Sequence, residues 1–231
     1  MEMDSLTAGR TRWAARIFVI SMAAYVLALI PNAVAGMPLP PVFLTKLLAS
    51  IATFAAAPAF LFFVSGCARL RVSAHPVAAR VALVSTVVFA ATALVNRIAQ
   101  MALLLGGPGT PSLDLYRTGS VANFLEMFAW DFCLGVAAAS LSVLFAPPAE
   151  AWVRRLFALA GAVALLGEAM YLLSTVPVGS PATSGLGIAA STSVWVLLLP
   201  IATWSAANRM AERPESYRSF DPDTRTVRAV L

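Results

Sequence analysis

SVANFLEMFAWDFCLGVAAASLSVLFA, residues 120–146, is apolar for almost its whole length yet holds two acids, Glu126 and Asp131. A hydrophobic run of about 20 residues suffices for a helix to cross a bilayer. Similar blocks lie on both sides of it. Length and pattern predict helices at 13–31, 43–66, 77–105, 120–146, 152–176 and 184–207. The fold read from this is an all-α, polytopic integral membrane bundle of six transmembrane helices. PNAVAGMPLPP, RLRVSAHP, GGPGTPSLDLYRTG, APPAE and PVGSPATSG connect them, rich in helix breakers and too short for a second domain. Residues 1–208 form the transmembrane domain. Residues 209–231, polar and Pro-containing, are expected to be a disordered tail.

Composition agrees. Of 231 residues, 60% are hydrophobic and 12% charged, against about a quarter charged in soluble domains. Mean hydropathy is +0.82. The net charge of +5 forms no stripe interleaved with aromatics, which argues against nucleic acid as a partner. Basic residues instead flank the apolar blocks. Arg10, Arg12, Arg16, Arg69, Arg71, Arg80, Arg154, Arg155, Arg209, Arg213, Arg218, Arg225 and Arg228 fall on one side of a six-span arrangement. The other side has Lys46 and Arg117, and Arg97 lies within a span. Basic loops stay on the cytoplasmic side, so both termini are expected there, in a multi-pass protein of the cell membrane. The first block lacks a small-x-small cleavage site and reads as a retained helix.

Ionisable groups at bilayer depth are costly and mark function by default. Arg97, Glu126, Asp131 and Glu168 are the four here. At 1.5 Å per residue, Arg97 and Glu168 lie about 12 Å below the outer ends of helices 3 and 5. Glu126 lies about 9 Å, and Asp131 about 16 Å, into helix 4 from that side. Three charges on three helices therefore share a level. Asn96, Gln100, Asn123, Tyr25, Tyr171 and the STS of residues 191–193 fall in the same half. Asn123, Glu126 and Trp130 share one helix face. Asp131 is about 140° from Glu126 on a regular helix, so the two acids are not expected to form a dyad. Glu126 is expected to face Arg97 and Glu168 in an outward-opening pocket.

One arginine cannot neutralise three acids, so at least one carboxyl is expected to carry a proton. A neutral carboxylic acid beside a carboxylate is a good proton donor. Trp130 and Trp195, with Phe124 and Phe128, could offer ring faces to a cation. The plainer readings are an ion-pair lock for the charges and packing for the rings. Packing is also the expected role of Cys67 and Cys133, and His75 sits in a short loop. No Walker loop, GxSxG, HExxH or CxxC occurs, no lysine lies mid-span, and no histidine pair exists. This argues against a redox or metal enzyme, and no cofactor is expected.

VNRIAQ, the stretch quoted above and AWVRRLFALAGAV resemble a group of small bacterial six-helix membrane proteins. The group's pattern is an N-R-x-x-Q helix end followed by an E-x-x-x-W-x-x-x-x-G helix. Here it corresponds to Asn96, Arg97, Gln100, Glu126, Trp130 and Gly135. The group has a small or apolar residue where this chain has Asp131. In type rather than motif, the chain is also similar to membrane-bound cyclases of prenylated natural products, whose buried acid protonates an alkene or epoxide. From these readings the expected function is isoprenoid cyclisation or isomerisation by general-acid catalysis on a lipidic or prenylated small molecule. Asp131 or Glu126 would donate the proton, and Glu168 with Arg97 would set its protonation state. Trp130 and Trp195 would line the cationic path. The alternatives are a proton-coupled solute transporter, with Glu126 and Glu168 binding the proton, and a structural or partner-binding membrane protein.

Overall fold

The structure is a computed structural model that describes residues 2–35, 41–106, 120–145, 150–174 and 194–212. All its regular elements are helical: α1 (Glu2–Ala35), α2 (Pro41–Arg71), α3 (Pro76–Leu104), α4 (Val121–Leu144) and α5 (Ala151–Ser174). A π-helical turn, Val194–Leu198, runs into the α-helix Leu199–Glu212, and the two together are α6. Five stretches, one in each of α1 to α5, are long and apolar enough to cross a membrane. Residues 184–193 of the sixth expected span lie outside the described residues. The last helix runs on to Glu212, into the stretch expected to be tail. Residues 213–231 are also outside the described residues.

Local chemistry sets the helix ends. Pro76 opens α3, where a missing N–H costs nothing. The Ser120 hydroxyl caps α4 by accepting from the Asn123 N–H at 3.0 Å. Beyond α3, Gly106 turns left-handed at φ 83°, a conformation open to glycine. Within α4 the residues Phe128–Cys133 form a π-helical turn, where the Leu134 N–H reaches the carbonyl of Ala129, five residues back. Such turns favour functional sites.

Successive helices pack on one another, and α6 returns to α1, which closes a ring. Small residues allow the closest crossings. A β-carbon on Gly161 of α5 would meet the Ala139 nitrogen at 2.8 Å and the Gly135 carbonyl oxygen at 2.9 Å, both α4 backbone. Inside the ring a file of buried aromatic rings runs from Phe145 through Phe157, Phe63, Phe60, Phe89 and Trp130 to Tyr25. Successive centroids are 4.9–6.4 Å apart. Outside, Ile20, Leu27, Phe62, Val84, Val95 and Leu166 are all more than half exposed. Arg97, Glu126, Asp131 and Glu168 lie within and these large apolar residues without, the reverse of a water-soluble bundle.

Candidate functional site

Three helices build the polar cluster. On α3, Asn96, Arg97 and Gln100 are buried and turned towards the bundle interior. On α4 stand Asn123, Glu126 and Trp130, the last two joined by a hydrogen bond. Tyr25 comes from α1. Glu126 is the hub. One of its oxygens, Oε1, accepts from Nη2 of Arg97 in a buried ion pair and from the Trp130 indole at 2.8 Å. Its Oε2 accepts from the Asn96 amide at 3.2 Å. The same Asn96 nitrogen also donates to the Ala122 carbonyl at 3.1 Å. Aromatic rings fix this arrangement. The Arg97 guanidinium lies 5.7 Å from the Tyr25 ring centre. Tyr25 stacks on Trp130 at 6.2 Å, and Phe89 meets Trp130 edge-on at 4.9 Å.

Arg97 therefore pairs with Glu126, a question that depth along the helices left open. Every bond drawn to Glu126 is donated to it, so the geometry presents this acid as an acceptor. Glu168 is placed differently. It is buried on α5, within electrostatic reach of Cys133 and Tyr171, and its Oε2 has no hydrogen-bond partner among the described residues. One turn along, the Tyr171 hydroxyl donates to Asn123 Oδ1 at 2.9 Å. This bond ties α5 to the Glu126 face of α4.

Asp131 is fully buried within the π-turn of α4. The separation of about 140° from Glu126 is that of a regular helix, and the π-turn, which begins at Phe128 between the two acids, narrows it. That π-turn packs against α3 and α5, and the π-turn of α6 packs against α5 as well. The helix carrying Glu168 is thus flanked by both. Trp195 belongs to the second turn, with its side chain outside the described residues, as are residues 191–193. Cys67 and Cys133 are free and buried, as packing residues would be. Among the described residues no group of His, Cys, Asp and Glu could hold a metal.

A second buried charge pair went unread in the sequence. Nη2 of Arg71, at the end of α2, reaches both carboxylate oxygens of Glu150, at 2.7 and 2.8 Å. Its Nη1 donates to the Leu144 carbonyl at 3.0 Å, which caps α4. The guanidinium also lies 5.4 Å from the Phe145 ring centre. The available signal was Glu150 itself, an acid at a helix start among basic flanks.

No family model, curated protein or solved structure matches the chain, so the resemblance to small bacterial six-helix proteins stands on its six quoted residues alone.

Proposed function

We propose that the chain is a six-span protein of the cell membrane with both termini cytoplasmic, and that Glu168 is its working acid. An ion-pair lock accounts for Arg97, Asn96, Glu126 and Trp130, because each is bonded within the cluster. It does not account for Glu168. A buried carboxyl oxygen without a partner costs stability, and such costs persist where a site uses them. That observation carries the proposal.

The chemistry it supports best is general-acid isomerisation or cyclisation of a lipid-soluble isoprenoid. Glu168 gives its proton to one carbon of an alkene, whose π pair forms the new C–H bond and leaves a carbocation. A second alkene closes the ring, and loss of a proton from a neighbouring carbon returns the acid to its starting state. Mass is unchanged and no co-reactant is consumed. Trp130, fully buried between Tyr25 and Phe89, serves to hold the cluster, and Asp131 in the adjoining turn is the second acid of the site. The Glu126 role shifts from donor to fixed acceptor.

The test compares membranes containing wild-type, Glu168→Gln or Glu126→Gln protein, each given farnesylated and geranylgeranylated acceptors. A product of unchanged mass is expected with wild type and lost by at least 100-fold in Glu168→Gln, in line with the usual contribution of a general acid, about 10²–10⁴. Full turnover by Glu168→Gln would sink the assignment.

The two π-turns flanking α5 favour one other reading, a proton-coupled transporter in which Glu168 takes and releases the coupled proton as α5 moves. Solute uptake in proteoliposomes driven by a pH gradient, with no isomerised product, would replace the enzyme reading.

A further inference from the structure

A groove of about 670 Å³ runs along the line where α1 meets α2, on the outside of the ring and away from the buried acids. Its floor is a close contact between these helices at Gly66 and Thr11. A β-carbon on Gly66 would strike the Thr11 hydroxyl, so a larger residue there would force the helices apart. One end is basic, lined by Arg10 and Arg69, with the hydroxyls of Thr7 and Ser65 nearby in the lining. The rest is apolar and includes Ile17 and Phe62. Among the described residues no acid lines the groove, and both arginines are exposed, with no ion pair there. Trp13 and Phe62, 64% and 70% exposed, stand at its rim.

Arg10 precedes Ile17 by two turns, and Arg69 follows Pro58 by three. The groove therefore runs roughly 10–16 Å from its basic end into the apolar zone. In the topology proposed above, that basic end lies at the cytoplasmic surface. Arginine forks match phosphate oxygens, tryptophan favours the headgroup level, and basic groups at the cytoplasmic leaflet are drawn to anionic lipid. We propose that this groove binds an anionic phospholipid, with its phosphate taken by Arg10 and Arg69 and the first part of an acyl chain laid along Ile17 and Phe62. The inference rests on the membrane-spanning reading and is independent of the chemistry assigned to Glu168.

Native mass spectrometry of the full chain tests it, with the protein released from mixed micelles of phosphatidylglycerol and phosphatidylcholine carrying the same acyl chains. The expected result is a single retained phosphatidylglycerol, preferred at least tenfold over phosphatidylcholine and lost in the R10Q/R69Q double variant. R154Q/R155Q removes the same charge at exposed positions outside the groove, and it should keep the lipid. Equal retention of the two lipids would overturn the site, as would equal loss in both double variants or undiminished binding in R10Q/R69Q. Displacement of the lipid by glycerol 3-phosphate alone would show a headgroup pocket and overturn the acyl part. Release of the wild-type chain from membranes by alkaline carbonate is a separate readout. It would remove the spanning reading and the lipid site together, whereas a chain that stays embedded without a lipid preference loses only the site.

Discussion

Glu126 takes hydrogen from an arginine, an indole and an amide at once, and this decides how its neighbours respond to substitution. Arg97→Met would leave the carboxylate buried without its cation, so the detergent-solubilised protein should lose about 3–5 kcal/mol of stability, read by denaturation. Removing both charges in Arg97→Met/Glu126→Leu should recover much of that loss, because no uncompensated charge remains. A double variant as unstable as the single one would show that the ion pair is not what the cluster protects. Trp130→Phe keeps a ring but removes the indole donor, and it should cost about 1 kcal/mol for the hydrogen bond alone. The members of this cluster were legible in the sequence because a charge in an apolar run has no other reading. Their pairing was not, since Glu126 and Glu168 stand at similar heights and rotation about the helix axis cannot be counted from the ends. Arg71 was hidden for a different reason. An arginine after an apolar block reads as a solvated topology signal, and only the fold brings Glu150 to it.

At the level of elements, the crossing of α4 and α5 leaves no room for a methyl group. Gly161→Ala would press a β-carbon against two backbone atoms of α4, which cannot rotate away as a side chain would. The expected loss is about 1–3 kcal/mol. Gly9 of α1 is the control, with nothing within 4 Å of the added carbon. Gly9→Ala should be neutral or stabilise by about 0.5–1 kcal/mol through helix propensity. Equal effects in thermal denaturation would refute the close crossing. The expected boundaries of the middle helices fall within a few residues of those found, because proline and glycine punctuate the apolar blocks so clearly. The exceptions are α1, which begins at Glu2 rather than near residue 13, and the end of α2, at Arg71 rather than near residue 66. Neither π-turn could be foreseen. A change of helical period shows in sequence only when a polar face shifts, and these stretches are apolar nearly all round.

Across the whole molecule, the file of rings from Phe145 to Tyr25 ends at each extremity on an arginine engaged in a buried ion pair, Arg71 with Glu150 and Arg97 with Glu126. Two charged clamps with a rigid aromatic interior between them make a bundle that resists deformation at both ends. The proposed topology places both termini on one face, so epitopes at residue 1 and residue 231 should be cleaved by protease in inverted membrane vesicles and protected in right-side-out ones. Protection of one epitope but not the other would require an odd number of spans. The Arg97–Glu126 pair also has a consequence for biosynthesis. Its members are 29 residues apart in the chain, so a ribosome moving at about 5–20 residues per second makes the cation about 1.5–6 s before its counter-ion. Through that interval α3 is a hydrophobic segment with an unneutralised guanidinium, a poor candidate to leave the translocon alone. In the proposed topology α3 is therefore expected to wait at the exit for α4, so that the two enter the bilayer together as a hairpin.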